Sequence, residues 1–253
     1  MKRFYIYLLL ICVPVTILIS CAKEGADGLS ADFGGTTGKA GSLSRFTIVG
    51  NYLYAVDQTS LNIFNITNPS NTVKVATQGI GFDIETIFPY NDKLFIGSSS
   101  AMYIYSLANP AAPQLISQVQ HFRSCDPVVA NDTVAYVTLR GGTRCAGNVN
   151  ALMVYNITNI IQPRLVTQIN LNGPFGLGYI DNGLYVCDGN DLRVYNIANS
   201  NNPGPVTTIT NTDEKFYDVI PYGNLLIAYI DHGVALYNIT NRLQPILLSK
   251  ITN

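Results

Sequence analysis

The sequence predicts an all-β fold, a five-bladed β-propeller of four-stranded antiparallel blades, preceded by a signal peptide and a flexible tether. A short pattern, LMVYNITN at 152–159, returns with small changes at 61–68, 102–109, 192–199 and 234–241. The closing asparagines of these copies lie 41, 50, 40 and 42 residues apart, which is the length of one propeller blade. Only 12% of the residues are charged, and 25 asparagines supply polarity without charge, as suits turn-rich β-structure.

Each repeat is predicted to contain a strand, a tight turn, a strand, a loop, a strand, a corner and a fourth strand. In the first repeat, FTIV at 46–49 turns through Gly50-Asn51 into YLYAV at 52–56. Strands such as LRVYNI are apolar at both alternating sets of positions, so both faces of a blade are expected to be buried. The corner asparagines are interpreted as structural, because a short amide side chain can bond the backbone two residues on.

The N-terminal segment, residues 1–20, predicts a lipoprotein signal peptide. Two basic residues precede an apolar run at 4–19, which is short for a bilayer span of roughly 20 residues but typical of a secretory signal. The run ends in Leu-Ile-Ser-Cys, which resembles the lipobox of bacterial lipoproteins, and the resemblance implies a lipid on Cys21 that attaches the protein to a membrane. Ala22 resembles an outer-membrane sorting residue. The predicted location is therefore the bacterial cell envelope, on the outer membrane, facing the periplasm or the cell surface.

A tether and one propeller domain are predicted to follow. Residues 21–44 are rich in Gly, Ser and Thr, as expected of a flexible, lipidated tether, and residues 45–253 hold the five repeats. The repeats begin with a first strand and end with a fourth, so no exchanged strand would latch the ring. Residues 40–45 are the candidate closing segment, and the domain is expected to be a monomer.

Four units resemble the LVIVD repeat of bacterial surface and secreted proteins. They read LNIFNITNPSN, MYIYSLANPAAP, LMVYNITNIIQP and LRVYNIANSNNP. The resemblance extends over residues 46–251 and implies a β-propeller, often on a lipoprotein, with no agreed activity. This chain has Asn at corners where the family often has Asp, which weakens the case for cation binding there.

The strand order predicts which face of the propeller binds a partner. Tight turns and proline corners share the lower face, whereas the loops between second and third strands and the links between blades share the upper face. The upper connections vary, and the longest repeat places its extra residues, 140–150, among them. Variable loops on a rigid frame often carry binding residues. The upper face is therefore the expected docking surface for a protein or glycan partner.

Several side chains are candidates for binding on this face. Alignment of the first strands places five residues near the upper mouth of the central channel, namely Arg45, Thr86, Asp126, Gly176 and Asp218. Their carboxylates and guanidinium would bind a cation or polar ligand, or else form an internal ion-pair network that fills the pore. Glu85 is a further candidate acid. Arg140, Arg144 and His232 lie on neighbouring upper loops and are also candidates, with the alternative that they are solvated loop residues.

The cysteines that follow the signal peptide have separate predicted roles. The hairpin after Cys125 returns the chain near Cys145, and an exported compartment permits a disulfide between them. Cys187 lies inside the apolar LYVCD and is expected to be a buried core thiol.

The sequence favours a binding or scaffold module without catalytic activity. The formal net charge of -1 argues against nucleic acid as a partner. His121 and His232 have no metal-ligand spacing, no nucleophile motif is present, and we expect neither a metal nor a cofactor. One alternative is a carbohydrate-active enzyme that uses acidic residues at the pore mouth. Another is a passive structural surface protein.

Overall fold

The computed structural model describes residues 41–121, 127–142 and 147–252. The predicted signal peptide, Cys21, and the predicted bond between Cys125 and Cys145 lie outside these residues. Within the described residues, five antiparallel sheets of four strands follow one another along the chain, and each sheet pairs its strands in sequence order. The predicted fold class is therefore confirmed. None of the helices in the described part of the chain is long and apolar enough to cross a membrane.

In blade 1 a short 3-10 turn, Pro69–Asn71, lies between the third and fourth strands. Blade 1 comprises β1 (Phe46–Val49), β2 (Tyr52–Val56), β3 (Ser60–Asn65) and β4 (Val73–Gly79). Blade 2 comprises β5 (Ile84–Tyr90), β6 (Lys93–Ser98), β7 (Ala101–Ser106) and β8 (Gln114–Gln120).

The remaining blades repeat this order, and their first strands contact one another around the central channel. Blade 3 comprises β9 (Val128–Ala130), β10 (Val134–Leu139), β11 (Ala151–Asn156) and β12 (Arg164–Asn170). Blade 4 comprises β13 (Pro174–Ile180), β14 (Gly183–Asp188), β15 (Asp191–Asn196) and β16 (Gly204–Thr210). Blade 5 comprises β17 (Phe216–Tyr222), β18 (Leu225–Ile230), β19 (Gly233–Asn238) and β20 (Ile246–Thr252).

Four of the five predicted tight turns use a residue with positive φ, the conformation that two-residue hairpins favour. These residues are Gly50, Asn91, Asp181 and Gly223, with φ between 51° and 58°. The turn of blade 3 is built differently. There the side-chain oxygen of Asn131 accepts hydrogen bonds from the backbone N–H groups of Thr133 and Val134, which closes the turn without a positive φ.

The corner asparagines have the predicted structural role. The side-chain oxygens of Asn68 and Asn241 accept hydrogen bonds from backbone N–H groups two residues on, at 3.1 Å in both cases. The asparagine three residues earlier makes the same contact, as in the 2.9 Å bond from Thr67 N to Asn65 Oδ1. Two successive turns of this kind lead from the third strand into the corner.

Apolar cores lie between consecutive blades, because each blade has apolar side chains on both faces. Four such cores among the described residues join blade 1 to 2, 2 to 3, 3 to 4 and 4 to 5. Cys187 is fully buried in the core between blades 4 and 5, as predicted. Burial also raises the pKa of its thiol, which makes the thiolate form unfavourable and fits a structural role.

In blades 1 to 4 the third residue of the second strand packs into the core between its blade and the next one. In three blades this residue is a tyrosine whose hydroxyl also forms a hydrogen bond to the next blade. Tyr54, Tyr136 and Tyr185 are fully buried and donate hydrogen bonds to corner carbonyls of the following blade, at 2.8, 3.0 and 2.8 Å. Burial raises the pKa of Tyr136 and Tyr185 to about 12, so the phenols stay protonated and remain donors. The same register position holds Phe95 in blade 2 and Ile227 in blade 5.

Blades 5 and 1 lack such a core. Among the described residues no apolar cluster joins them, although blade 5 presents Ile227 and Tyr229 and blade 1 presents Phe46 and Leu53 on the faces turned away from blades 4 and 2. Ile227 and Leu53 are half-buried, whereas their counterparts in the other blades are buried completely. We call the space between these two faces the seam.

Because the seam is not packed like the other cores, two matched substitutions are expected to lower the free energy of unfolding by different amounts. Leu94→Ala removes a fully buried side chain from the core between blades 1 and 2 and is expected to lower the free energy of unfolding by about 2 to 5 kcal/mol. Leu53→Ala changes the same register position at the seam and is expected to cost less than half as much, because that side chain is already partly exposed. Urea unfolding of the two variants compares the costs. Equal losses would mean that the seam is a packed core.

Candidate functional site

Residues 41–45 cross the central channel, and we call this segment the strap. On one side, Ser42 Oγ donates a 3.0 Å hydrogen bond to Asp218 Oδ1 and accepts a 2.8 Å bond from the backbone N–H of Leu177. On the other side, the carbonyl of Ser44 accepts a 2.9 Å bond from Ile87 N. The strap therefore ties blades 4 and 5 to blade 2 and, through its continuation into β1, to blade 1. The candidate closing segment thus lies in the channel rather than in a sheet.

Asp218 is the centre of this arrangement. Its carboxylate accepts hydrogen bonds from Ser42 Oγ, from Leu43 N at 3.2 Å and from Val219 N at 2.9 Å. Two glycines allow the backbone to come this close, since a Cβ atom at Gly41 or Gly176 would overlap the carboxylate oxygens. The sequence thus provides hydrogen-bond donors for the partly buried Asp218 carboxylate and, through the two glycines, the space that it occupies.

Burial changes the acidity of this group. It raises the pKa of Asp218 from 3.8 to about 6, although the hydrogen bonds from Leu43, Ser42 and Val219 act in the opposite direction. Desolvation disfavours the charged form because burial removes part of the water that would otherwise stabilise the charge. Asp218 is therefore an acid held by neutral donors, and it changes charge just below neutral pH.

Of the other predicted pore-mouth residues, Gly176 lies against this carboxylate, whereas Arg45 forms its hydrogen bond elsewhere. Arg45 is exposed and donates a 2.9 Å hydrogen bond to the carbonyl of Ile84. In the described part of the chain no ion pair joins Arg45 to Asp218. Glu85 lies half-buried at the start of β5. The candidates Asp126 and Arg144 lie outside the described residues.

Arg140, a predicted candidate, belongs to a row of aromatic rings on the upper face. Its guanidinium carbon lies 3.7 Å from the ring centroid of Phe175. Phe175 and Tyr217 meet edge to face with centroids 4.8 Å apart, and Tyr217 is followed by Tyr229 at 5.6 Å. We call Phe175, Tyr217 and Tyr229 the aromatic row. It runs from the first strand of blade 4 to the seam edge of blade 5, and Arg140 of blade 3 lies at its beginning.

Acidic groups border the row. The hydroxyl of Tyr217 donates a 2.6 Å hydrogen bond to Asp231 Oδ1, and this bond is the largest cause that holds the pKa of Asp231 below its usual value. The predicted candidate His232 is exposed, and its Nδ1 lies 3.4 Å from Glu214, which also pairs with Lys250 at 3.2 Å. The upper face of blade 5 therefore carries carboxylates beside aromatic rings.

The aromatic row and Ser42 were not among the residues predicted from the sequence. Phe175 and Tyr217 directly precede Gly176 and Asp218, so they occupy the register position of Glu85 in blade 2. That alignment could have identified both rings. Ser42 had no such signal, because it lies before the first repeat in a stretch of small residues.

The chemistry of this surface suits recognition. The described residues contain no group of three His, Cys, Asp or Glu side chains that could hold a metal ion. They offer instead aromatic edges and faces, a guanidinium at one end and carboxylates at the other. Aromatic rings of this kind supply contact area, and their polar neighbours supply orientation.

The raised pKa of Asp218 predicts a pH dependence of stability. The folded-state pKa of about 6 exceeds the ordinary value of 3.8, so the folded protein holds the proton more tightly. The stabilisation is fully present below the unfolded-state pKa and is lost as the pH rises through about 6, by on the order of 3 kcal/mol. Urea unfolding between pH 4 and 7 should show the wild type losing stability relative to Asp218→Asn. A relative gain over that range would contradict the expectation.

Comparisons with known proteins agree with the fold. Residues 38–77 match the model of the LVIVD repeat. A protein from Lactobacillus plantarum has a TM-score of 0.63 at 13% identity, over 80% of this chain and 68% of its own. The periplasmic gluconolactonase PpgL of Pseudomonas aeruginosa has a TM-score of 0.63 at 14% identity, over the same shares. Hsv2 of Kluyveromyces lactis has a TM-score of 0.56 at 12% identity, over 80% of this chain and 60% of its own.

The similarity extends over part of these proteins at low sequence identity. The chain spans 60% to 68% of the length of these solved structures, and identities of 12% to 14% establish the fold alone. A search of curated proteins finds no match. The chain is a five-bladed β-propeller that carries an LVIVD repeat.

Proposed function

We propose that this protein is an envelope-anchored bacterial lipoprotein whose β-propeller is a non-catalytic binding module for a protein or glycan partner. The partner docks on the upper face. The observation that carries the proposal is the aromatic row, flanked by Arg140 at 3.7 Å from Phe175 and by Asp231 at 2.6 Å from the hydroxyl of Tyr217.

The composition of the row supports binding. Aromatic residues and arginine are enriched among the residues that contribute most to the affinity of interfaces. Tyr229 is 53% exposed, while Phe175 and Tyr217 are half-buried and fixed by their neighbours. A ligand therefore meets rings that lose little freedom on binding, which keeps the entropic cost of association low.

The same surface gives less support to catalysis by the pore-mouth acids. Such an enzyme needs two carboxylates at one substrate bond. Of the predicted acids that the structure describes, Asp218 is held in blade 5 by hydrogen bonds from Ser42, Leu43 and Val219, whereas Glu85 lies at the start of β5 in blade 2. A passive structural role would leave the exposed part of the aromatic row without a purpose.

Anchoring supports a binding role in the envelope. The sequence before Gly41 contains the lipobox-like Cys21 followed by a Gly- and Ser-rich segment. A lipid on Cys21 would hold the propeller near a membrane, and each buried methylene contributes about 0.8 kcal/mol to that attachment. We propose that the propeller then faces the periplasm or the cell surface as a monomer.

Phe175→Ala is expected to weaken capture of the partner at least roughly tenfold, as for a central aromatic contact. Detergent-solubilised full chain is tested on a glycan array and by crosslinking to an envelope extract, and affinity is measured for each ligand retained. Tyr222→Ala is the matched control, because Tyr222 is 65% exposed at the opposite end of β17. Unchanged affinity in the Phe175 variant would disprove the role of the row.

Cys21→Ser is expected to abolish incorporation of labelled palmitate and to move the protein from the membrane fraction to the soluble fraction, because it removes the only thiol in the lipobox-like sequence. Cys187→Ser serves as the control for general effects of losing a thiol. Label that persists in the Cys21 variant would contradict lipidation at this position.

A further inference from the structure

A cavity lies next to the strap, on the blade 5 side of the seam. Its volume is about 290 Å³, and it is lined by Leu43, Asp218, Ile220, Ile227 and Tyr229. Four of these five side chains are aliphatic or aromatic. All of these residues belong to the strap or to blade 5, and among the described residues none of blade 1 lines the cavity.

The fifth lining residue is the exception. Asp218 accepts hydrogen bonds from Ser42, Leu43 and Val219, all of them neutral donors. Among the described residues it forms no ion pair. With a pKa of about 6 the group is mostly ionised at neutral pH, so the cavity then holds a carboxylate without a countercharge. A carboxylate in apolar surroundings is stabilised by a cation that approaches it without water between them.

A lysine side chain has the matching chemistry. Its four methylenes can lie along apolar side chains while the ammonium reaches an acid. The ring of Tyr229 stands at the same cavity, and an aromatic face attracts an ammonium. A free metal cation would gain nothing from the aliphatic wall formed by Leu43, Ile220 and Ile227.

Apolar surface outside the cavity indicates a polypeptide rather than a small amine. On the blade 1 side of the seam, Phe46 is 59% and Ile48 is 38% exposed, and both lie on the face turned away from blade 2. An extended segment with apolar residues beside its lysine would cover these side chains. A small amine would leave them in water.

We propose that the seam binds a polypeptide segment of a partner protein, with a lysine of that segment placed in the cavity against Asp218. This inference rests on the proposed binding function and names the chemistry of its partner. It adds a second contact region, since the cavity and the aromatic row share only Tyr229.

The test compares two peptides that differ in one charge. The probe Ac-Thr-Val-Lys-Val-Thr-NH2 and its norleucine counterpart are titrated into detergent-solubilised full chain by calorimetry. We expect the lysine peptide to bind at least tenfold more tightly. Asp218→Asn should remove that preference, whereas Tyr222→Ala, the exposed control at the opposite end of β17, should keep it. The peptides replace the partner that tests the aromatic row, so either proposal can fail without the other. Equal affinity for the two peptides, or an unchanged preference in Asp218→Asn, would overturn the proposal.

A second variant keeps the test valid if Asp218→Asn does not fold. Ile227→Lys supplies an ammonium from within the half-buried wall of the cavity and is expected to abolish binding of the lysine peptide. Retained binding in this variant would contradict the proposal. If n-butylamine binds as tightly as the lysine peptide, a polypeptide is not the occupant and the assignment fails.

Discussion

The structure depends on the burial of both faces of every blade. The second strands are apolar on both sides, so a single sheet cannot remove its side chains from water. Each internal blade solves this by lying between two neighbours. Blades 1 and 5 have one neighbour each through an apolar core, and their remaining faces meet at the seam. The exposure of Phe46 and Tyr229 follows from the position of their blades, not from a change in pattern.

The strap replaces apolar packing at this boundary by hydrogen bonds. Ser42 contacts two backbone or side-chain partners in blades 4 and 5, and Ser44 contacts blade 2. Such bonds are directional, so they fix where the strap lies without covering the apolar faces behind it. They also place Asp218 at the edge of the cavity. The contacts that link blade 5 to the strap therefore also fix the Asp218 carboxylate, whose pKa is raised by burial.

The sequence predicts periodic features well because they are repeated. Strand order, four of the turns and the corner asparagines each recur in several copies, so one copy supports another. The turn at Asn131 differs because a side chain, not a positive φ, closes it. Ser42 and the aromatic row escape the pattern for another reason. Ser42 precedes the repeats, and the row takes each ring from a different strand, so its continuity exists only after the blades are placed side by side.

The residue type at the register position of Ile227, compared between the five blades, agrees with the open seam. In blades 1, 3 and 4 a tyrosine at this position donates to a corner carbonyl of the next blade. Blade 2 has Phe95 there, and Ser117 Oγ instead donates a 2.6 Å bond to the corner carbonyl of Ile160 in blade 3. Phe95 remains fully buried, so burial at this position requires a neighbouring blade and not a hydroxyl. Ile227 has no hydroxyl and is partly exposed, as expected where no apolar core of the described residues joins blades 5 and 1.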